Sequence, residues 1–91
     1  MGKIIVKFEF PKMTQKHYDQ IINEMKSAGT IKQKRRLSHF AGPTKNGWFV
    51  LDVWESEQAF KDFGTTLMPI MQKLEIPKAD PEIFPMYNEI H

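Results

Sequence analysis

Gly47-Trp48-Phe49-Val50-Leu51-Asp52-Val53-Trp54-Glu55-Ser56 is the stretch on which the fold turns. Residues 48 to 54 are almost all apolar or aromatic, the composition of a strand covered on both faces. Ser56 ends that strand and caps a helix, because its hydroxyl oxygen can accept from an orphan amide of the first turn. Only Asp52 interrupts the run. Side chains alternate along a strand, so Asp52 shares a face with Trp48, Val50 and Trp54. A carboxylate between two indoles is either a satisfied structural group or part of a site.

Working back from this strand, Gly42-Pro43-Thr44-Lys45-Asn46-Gly47 reads as a hairpin turn rich in breakers. Leu37 to Ala41 is then the partner strand. Pairing Gly42 with Gly47 sets Phe40 opposite Phe49, His39 opposite Val50 and Ser38 opposite Leu51. His39 then lies diagonal to Asp52 on the same face. A turn one residue longer or shorter would move His39 to the other face. Lys32-Gln33-Lys34-Arg35-Arg36, just before, is the one basic cluster, read as a solvated loop with anion contact as the alternative.

Further back, Ile4 to Phe10 alternates as a strand, with Ile4, Val6, Phe8 and Phe10 on the core face. Thr14 caps a helix from Gln15 to about Ala28, and Met13 and Tyr18 stand at the two positions of a hydrophobic staple. Tyr18, Ile21, Ile22, Met25 and Ala28 form its apolar stripe, and Gly29 stops it. His17 falls off that stripe and reads as solvent-exposed. Forward from Ser56, the second helix buries Ala59, Phe60, Phe63, Leu67, Ile70, Met71 and Leu74. Gly64 and Pro69 predict a kink or break between them. Glu82 to Ile90 is the last strand, at an edge or bulged because of Pro85.

The order β-α-β-β-α-β is ferredoxin-like: an α+β fold, an antiparallel sheet with two helices on one face. The 91 residues make a single domain, 1–91. The central hairpin has two apolar faces and the helices cover one, which predicts a homodimer packed sheet against sheet. There are no cysteines, so no disulfide scaffold and no thiolate metal site. His17, His39 and His91 have no ligand spacing, so no metal site is expected. No apolar run reaches the ~20 residues of a membrane span, and Met1-Gly2-Lys3-Ile4-Ile5 enters a strand at once, unlike a signal peptide. No membrane partner is expected, and the location expected is cytoplasmic. The net charge of +2 does not call for a polyanion partner. The same element order hosts single-stranded RNA binding, with aromatics on the third strand, but Asp52 would repel phosphate. No nucleic acid is expected.

The segment Gly47-Trp48 through Trp54-Glu55-Ser56-Glu57-Gln58-Ala59-Phe60, with Phe63, resembles the antibiotic-biosynthesis-monooxygenase-like family of dimeric α+β barrels. Leu67-Met68-Pro69, Ile76-Pro77 and Pro81-Glu82-Ile83 resemble a bacterial branch of it. The resemblance implies a homodimer whose two sheets close a barrel, with a cavity between each sheet and its own helices. Some members oxidise polycyclic aromatic compounds without metal or flavin, and others degrade haem. In the former, the tryptophan corresponding to Trp54 lines the cavity. This chain has Val50 where those members have asparagine and Phe60 where they have tyrosine, and no arginine matches theirs near Leu74. The haem-degrading pattern of a first-strand Asn with a second-helix Trp and His is not present.

The residues themselves offer a base and a box. His39 and Asp52 are the catalytic candidates, the carboxylate orienting and charging the imidazole. Otherwise they are a buried polar pair, or Asp52 accepts from an indole N–H. Trp48, Trp54, Phe8, Phe60 and Phe63 are the ligand-binding candidates for a flat apolar molecule, or are ordinary core. With the resemblance, these residues imply as the expected function a monooxygenase-like oxidation of a flat hydrophobic small molecule, with no cofactor expected. The alternative is a non-catalytic dimeric small-molecule-binding or interaction protein.

Overall fold

Strand β3 (Gly47–Trp54) lies inside a four-stranded antiparallel sheet, and the other strands assemble around it. The computed structural model describes residues 2–91. Its elements are β1 (Ile4–Pro11), α1 (Gln15–Ala28), β2 (Arg36–Thr44), β3, α2 (Glu57–Lys73) and β4 (Glu82–Pro85). The sheet order is β2-β3-β1-β4, so the two apolar strands β1 and β3 are central. Ile4, Val6 and Phe10 of β1 and Val50 and Trp54 of β3 join Ile21 and Met25 of α1 and Ala59, Phe63 and Met71 of α2 in one buried cluster. The fold is the ferredoxin-like α+β arrangement, with both helices on the same face of the sheet.

Both helix starts are set by local hydrogen bonds. The Thr14 hydroxyl accepts from the His17 amide, and the Thr14 amide donates back to Nδ1 of His17, closing a capping box. Helix α1 ends at Gly29, whose φ of 74° is the left-handed conformation that glycine takes at least cost. The Ser56 hydroxyl accepts from the Ala59 amide at the start of α2.

Three expectations need correction. The hairpin turn is shorter: Thr44 pairs with Gly47 across Lys45-Asn46, not Gly42 with Gly47. His39 is therefore directly opposite Asp52, and Phe40 opposite Leu51. The slip is two residues, so every side chain keeps its face. Helix α2 does not break: it runs from Glu57 to Lys73 with Pro69 inside. Proline removes one amide from the ladder, but the residues beyond it, Ile70, Met71 and Leu74, stay packed on the core. Strand β4 stops at Pro85 rather than reaching Ile90, and it is an edge strand. The Met86 amide makes one more bond to the Lys3 carbonyl, at 3.0 Å.

Among the described residues, no helix covers the far side of the sheet. Ile5, Phe40, Phe49, Leu51, Val53 and Phe84 point there by register. Phe40 is 57% exposed and Phe84 44%.

Candidate active site

Pairing His39 with Asp52 across the hairpin brings the two side chains together on the helix side of the sheet. Nδ1 of His39 is 2.5 Å from Oδ1 of Asp52. Asp52 is the buried charged residue of the core, 3% exposed, while His39 is half-buried. On its other edge, Nε2 of His39 is 2.6 Å from the hydroxyl of Tyr18 on α1. The two rings lie nearly parallel, 7° apart. A carboxylate only accepts, so Nδ1 carries the proton donated to Asp52. In the neutral imidazole Nε2 is then bare, and the Tyr18 hydroxyl donates to it. Asp52 thus fixes both the tautomer and the orientation of the ring.

Tyr18, His39 and Asp52 border one cavity of about 50 Å³ between sheet and helices. Its other walls are apolar apart from Arg36: Phe8, Phe10, Met13, Val50, Phe63 and Met71 are among them. Burial, and after it the negative charge of Asp52, holds the Tyr18 phenol above the ordinary tyrosine range, with Arg36 pulling the other way. The phenol therefore stays protonated at neutral pH and remains a donor.

Of the five aromatic candidates, Phe8 and Phe63 line this cavity; Trp48, Trp54 and Phe60 do not. Trp54 is 1% exposed and packs against Phe63, with ring centroids 5.0 Å apart, and against Phe60 at 6.0 Å. Trp48 lies against Tyr18 at 5.6 Å. Asp52 does not serve the indoles: Nε1 of Trp48 and of Trp54 are buried without a partner among the described residues. Within the basic cluster, Arg35 pairs with Glu55 and Asp62 on the surface, whereas Arg36 turns inward. No group of three or more His, Cys, Asp or Glu side chains among the described residues could hold a metal ion. No helix there is long and apolar enough to cross a membrane.

Sequence reasoning missed two members of the site. Tyr18 sits on the apolar stripe of α1 and read as packing, although its hydroxyl is the polar group on that stripe. Arg36 read as the end of a solvated loop.

No protein-family model and no curated protein matches the chain. Among solved structures, the fold is similar to that of a putative antibiotic biosynthesis monooxygenase from Deinococcus radiodurans. The TM-score is 0.59 over 100% of this chain and 97% of that one, at 13% identity. At that identity the likeness is one of fold.

Proposed function

We propose that the protein is a small-molecule enzyme whose His39 acts as a general base, and that the deprotonated ligand reacts with dioxygen in a monooxygenase-like step. One observation carries the reading: an Asp52–His39–Tyr18 hydrogen-bond chain ends on an apolar cavity. The fold shared with a putative antibiotic biosynthesis monooxygenase supports the reaction class. The ligand is a flat apolar compound with an acidic hydroxyl conjugated to an oxidisable CH₂. Its hydroxyl donates to Tyr18 while Tyr18 donates to Nε2. One concerted shift leaves the ligand anionic, Tyr18 neutral and His39 protonated against Asp52. The electron-rich anion then reduces dioxygen: one oxygen atom replaces the two hydrogens of the CH₂ as a carbonyl, and the other leaves as water. The four electrons come from the ligand, so no further reductant enters.

The cavity is about 50 Å³, roughly a third of the ~150 Å³ that admits benzene in an apolar site. Ligand entry therefore requires wall side chains to move. Met13, Met25 and Met71 on the wall are unbranched and suited to that. The small cavity and the engaged Nε2 favour the second reading, a non-catalytic dimeric small-molecule-binding or interaction protein. In either case we propose a homodimer formed through the helix-free face.

Dioxygen uptake with a panel of hydroxylated polycyclic aromatics separates the two. Under the enzyme reading, wild type consumes dioxygen, and His39→Ala is slower by about 10²–10⁴-fold, the usual worth of a general base. Equal uptake by the two proteins would remove His39 as the base, and no uptake by wild type above the protein-free background would leave the non-catalytic reading.

A further inference from the structure

Strand β2 contains a bulge that changes which way Arg36 points. From Thr44 to Ser38 the pairing with β3 is regular, and Ser38 lies opposite Val53 on the helix-free face. Strict alternation would put residue 36 on that face too. The register slips between Arg36 and Ser38, so Arg36 lies opposite Trp54 on the His39 face, and Leu37 is left 44% exposed. Bulges re-aim side chains in this way beside functional sites. The Arg36 guanidinium stands 5.7 Å from the Phe63 ring centre and 5.9 Å from that of Trp54, and one nitrogen donates to the Ile31 carbonyl at 3.0 Å. Arg36 is among the residues that line the same cavity as Tyr18 and His39.

We propose that Arg36, delivered by this bulge, is the anion-holding residue of the cavity, and that the ligand class is an ionisable phenol or enol bound as its oxyanion. The inference rests on the base assigned above and adds the counter-charge that the base needs. Charge balance supports it. Before proton transfer, Asp52 and Arg36 are the charged groups bordering the cavity. Afterwards imidazolium meets Asp52 and the oxyanion meets Arg36, so neither new charge is buried alone. Asp19 is the further carboxylate bearing on Tyr18, and its influence is weaker than that of Asp52 or Arg36.

The probe is 4-nitrophenol, whose ionisation is visible by absorbance, with 4-nitroanisole as the non-ionisable control. Without dioxygen the measurement is independent of turnover, so an enzyme reading that fails leaves it intact, and the reverse holds. Wild type should bind the probe as phenolate at a pH where the free probe is still neutral, and should bind the anisole roughly tenfold more weakly. Arg36→Met should abolish the phenolate signal, and Arg36→Lys should restore part of it. Equal phenolate formation in wild type and Arg36→Met, or equal binding of phenol and anisole, would overturn the proposal. If loss of stacking unfolds the variant, the Arg36 Nε–H resonance of wild type serves instead. It should shift on adding 4-nitrophenol and not 4-nitroanisole; no shift overturns the assignment.

Discussion

At the residue scale, the site is held by one buried carboxylate and the ring it orients. Asp52 was legible because it alone breaks an apolar strand, and His39 because it falls on the same face. Tyr18 was not, since helical spacing registers a ring and is silent on where its hydroxyl goes. Tyr18→Phe should cost about 1–2 kcal/mol, because the variant keeps the ring but leaves Nε2 without its donor. Urea unfolding at neutral pH measures this. The pH dependence has a definite sign. The folded-state pKa of Tyr18 is raised above its ordinary value of about 10, chiefly by burial and then by Asp52. The protonated phenol is thus favoured by folding. Its contribution is complete below the unfolded value and is lost as pH rises through the folded one. Wild type should therefore lose more stability above about pH 10 than Tyr18→Phe does. Parallel stability curves would show that the Tyr18 phenol is uncoupled from folding.

At the element scale, the hairpin sets the geometry of the pair. Its turn is two residues long because Gly47 can pair with Thr44 while pressed against β1. A Cβ on Gly47 would stand 2.1 Å from the Phe10 carbonyl oxygen and 2.9 Å from the Lys12 nitrogen. Both are backbone atoms and cannot step aside. This contact lies between strands distant in sequence, so the breaker-rich run 42–47 showed a turn but not its length. The bulge at Arg36 is equally unwritten: nothing in Arg35-Arg36-Leu37-Ser38 marks a register slip. Gly47→Ala should destabilise by more than about 2 kcal/mol, a cost in the range of backbone strain. Gly64 is the opposite case, a helix-interior glycine where an added Cβ would meet nothing within 4 Å. Gly64→Ala should stabilise by about 0.5–1 kcal/mol through helix propensity. Thermal melts of the two variants should shift in opposite directions, and a Gly47→Ala melt at or above that of wild type would contradict the placement of Gly47.

At the scale of the whole molecule, two helices cover one face of the sheet, and the other face carries an apolar patch centred on β3 beside Lys7, Glu9 and Glu82. Element order and faces were legible because periodicities of 2 and 3.6 persist along each segment. The end of β4 was not, because Pro85 stops pairing in a stretch whose apolar residues continue to Ile90. Phe40 and Phe84, with Phe49 and Leu51 beside them, form the surface through which we propose dimerisation. Sedimentation should give twice the 10.7 kDa chain mass at micromolar concentration. Phe40→Asp should yield monomer, because an unpaired carboxylate would then be buried in the interface. A wild-type monomer would contradict the dimer.

A base directed at the cavity is tested most directly by the protonation state of the His39 ring nitrogens, read from nitrogen NMR of wild type with its imidazole neutral. The expected result is a proton on Nδ1 and a bare Nε2, lost to a tautomer mixture in Asp52→Asn. A proton on Nε2 in wild type would turn the lone pair away from the cavity and contradict the base.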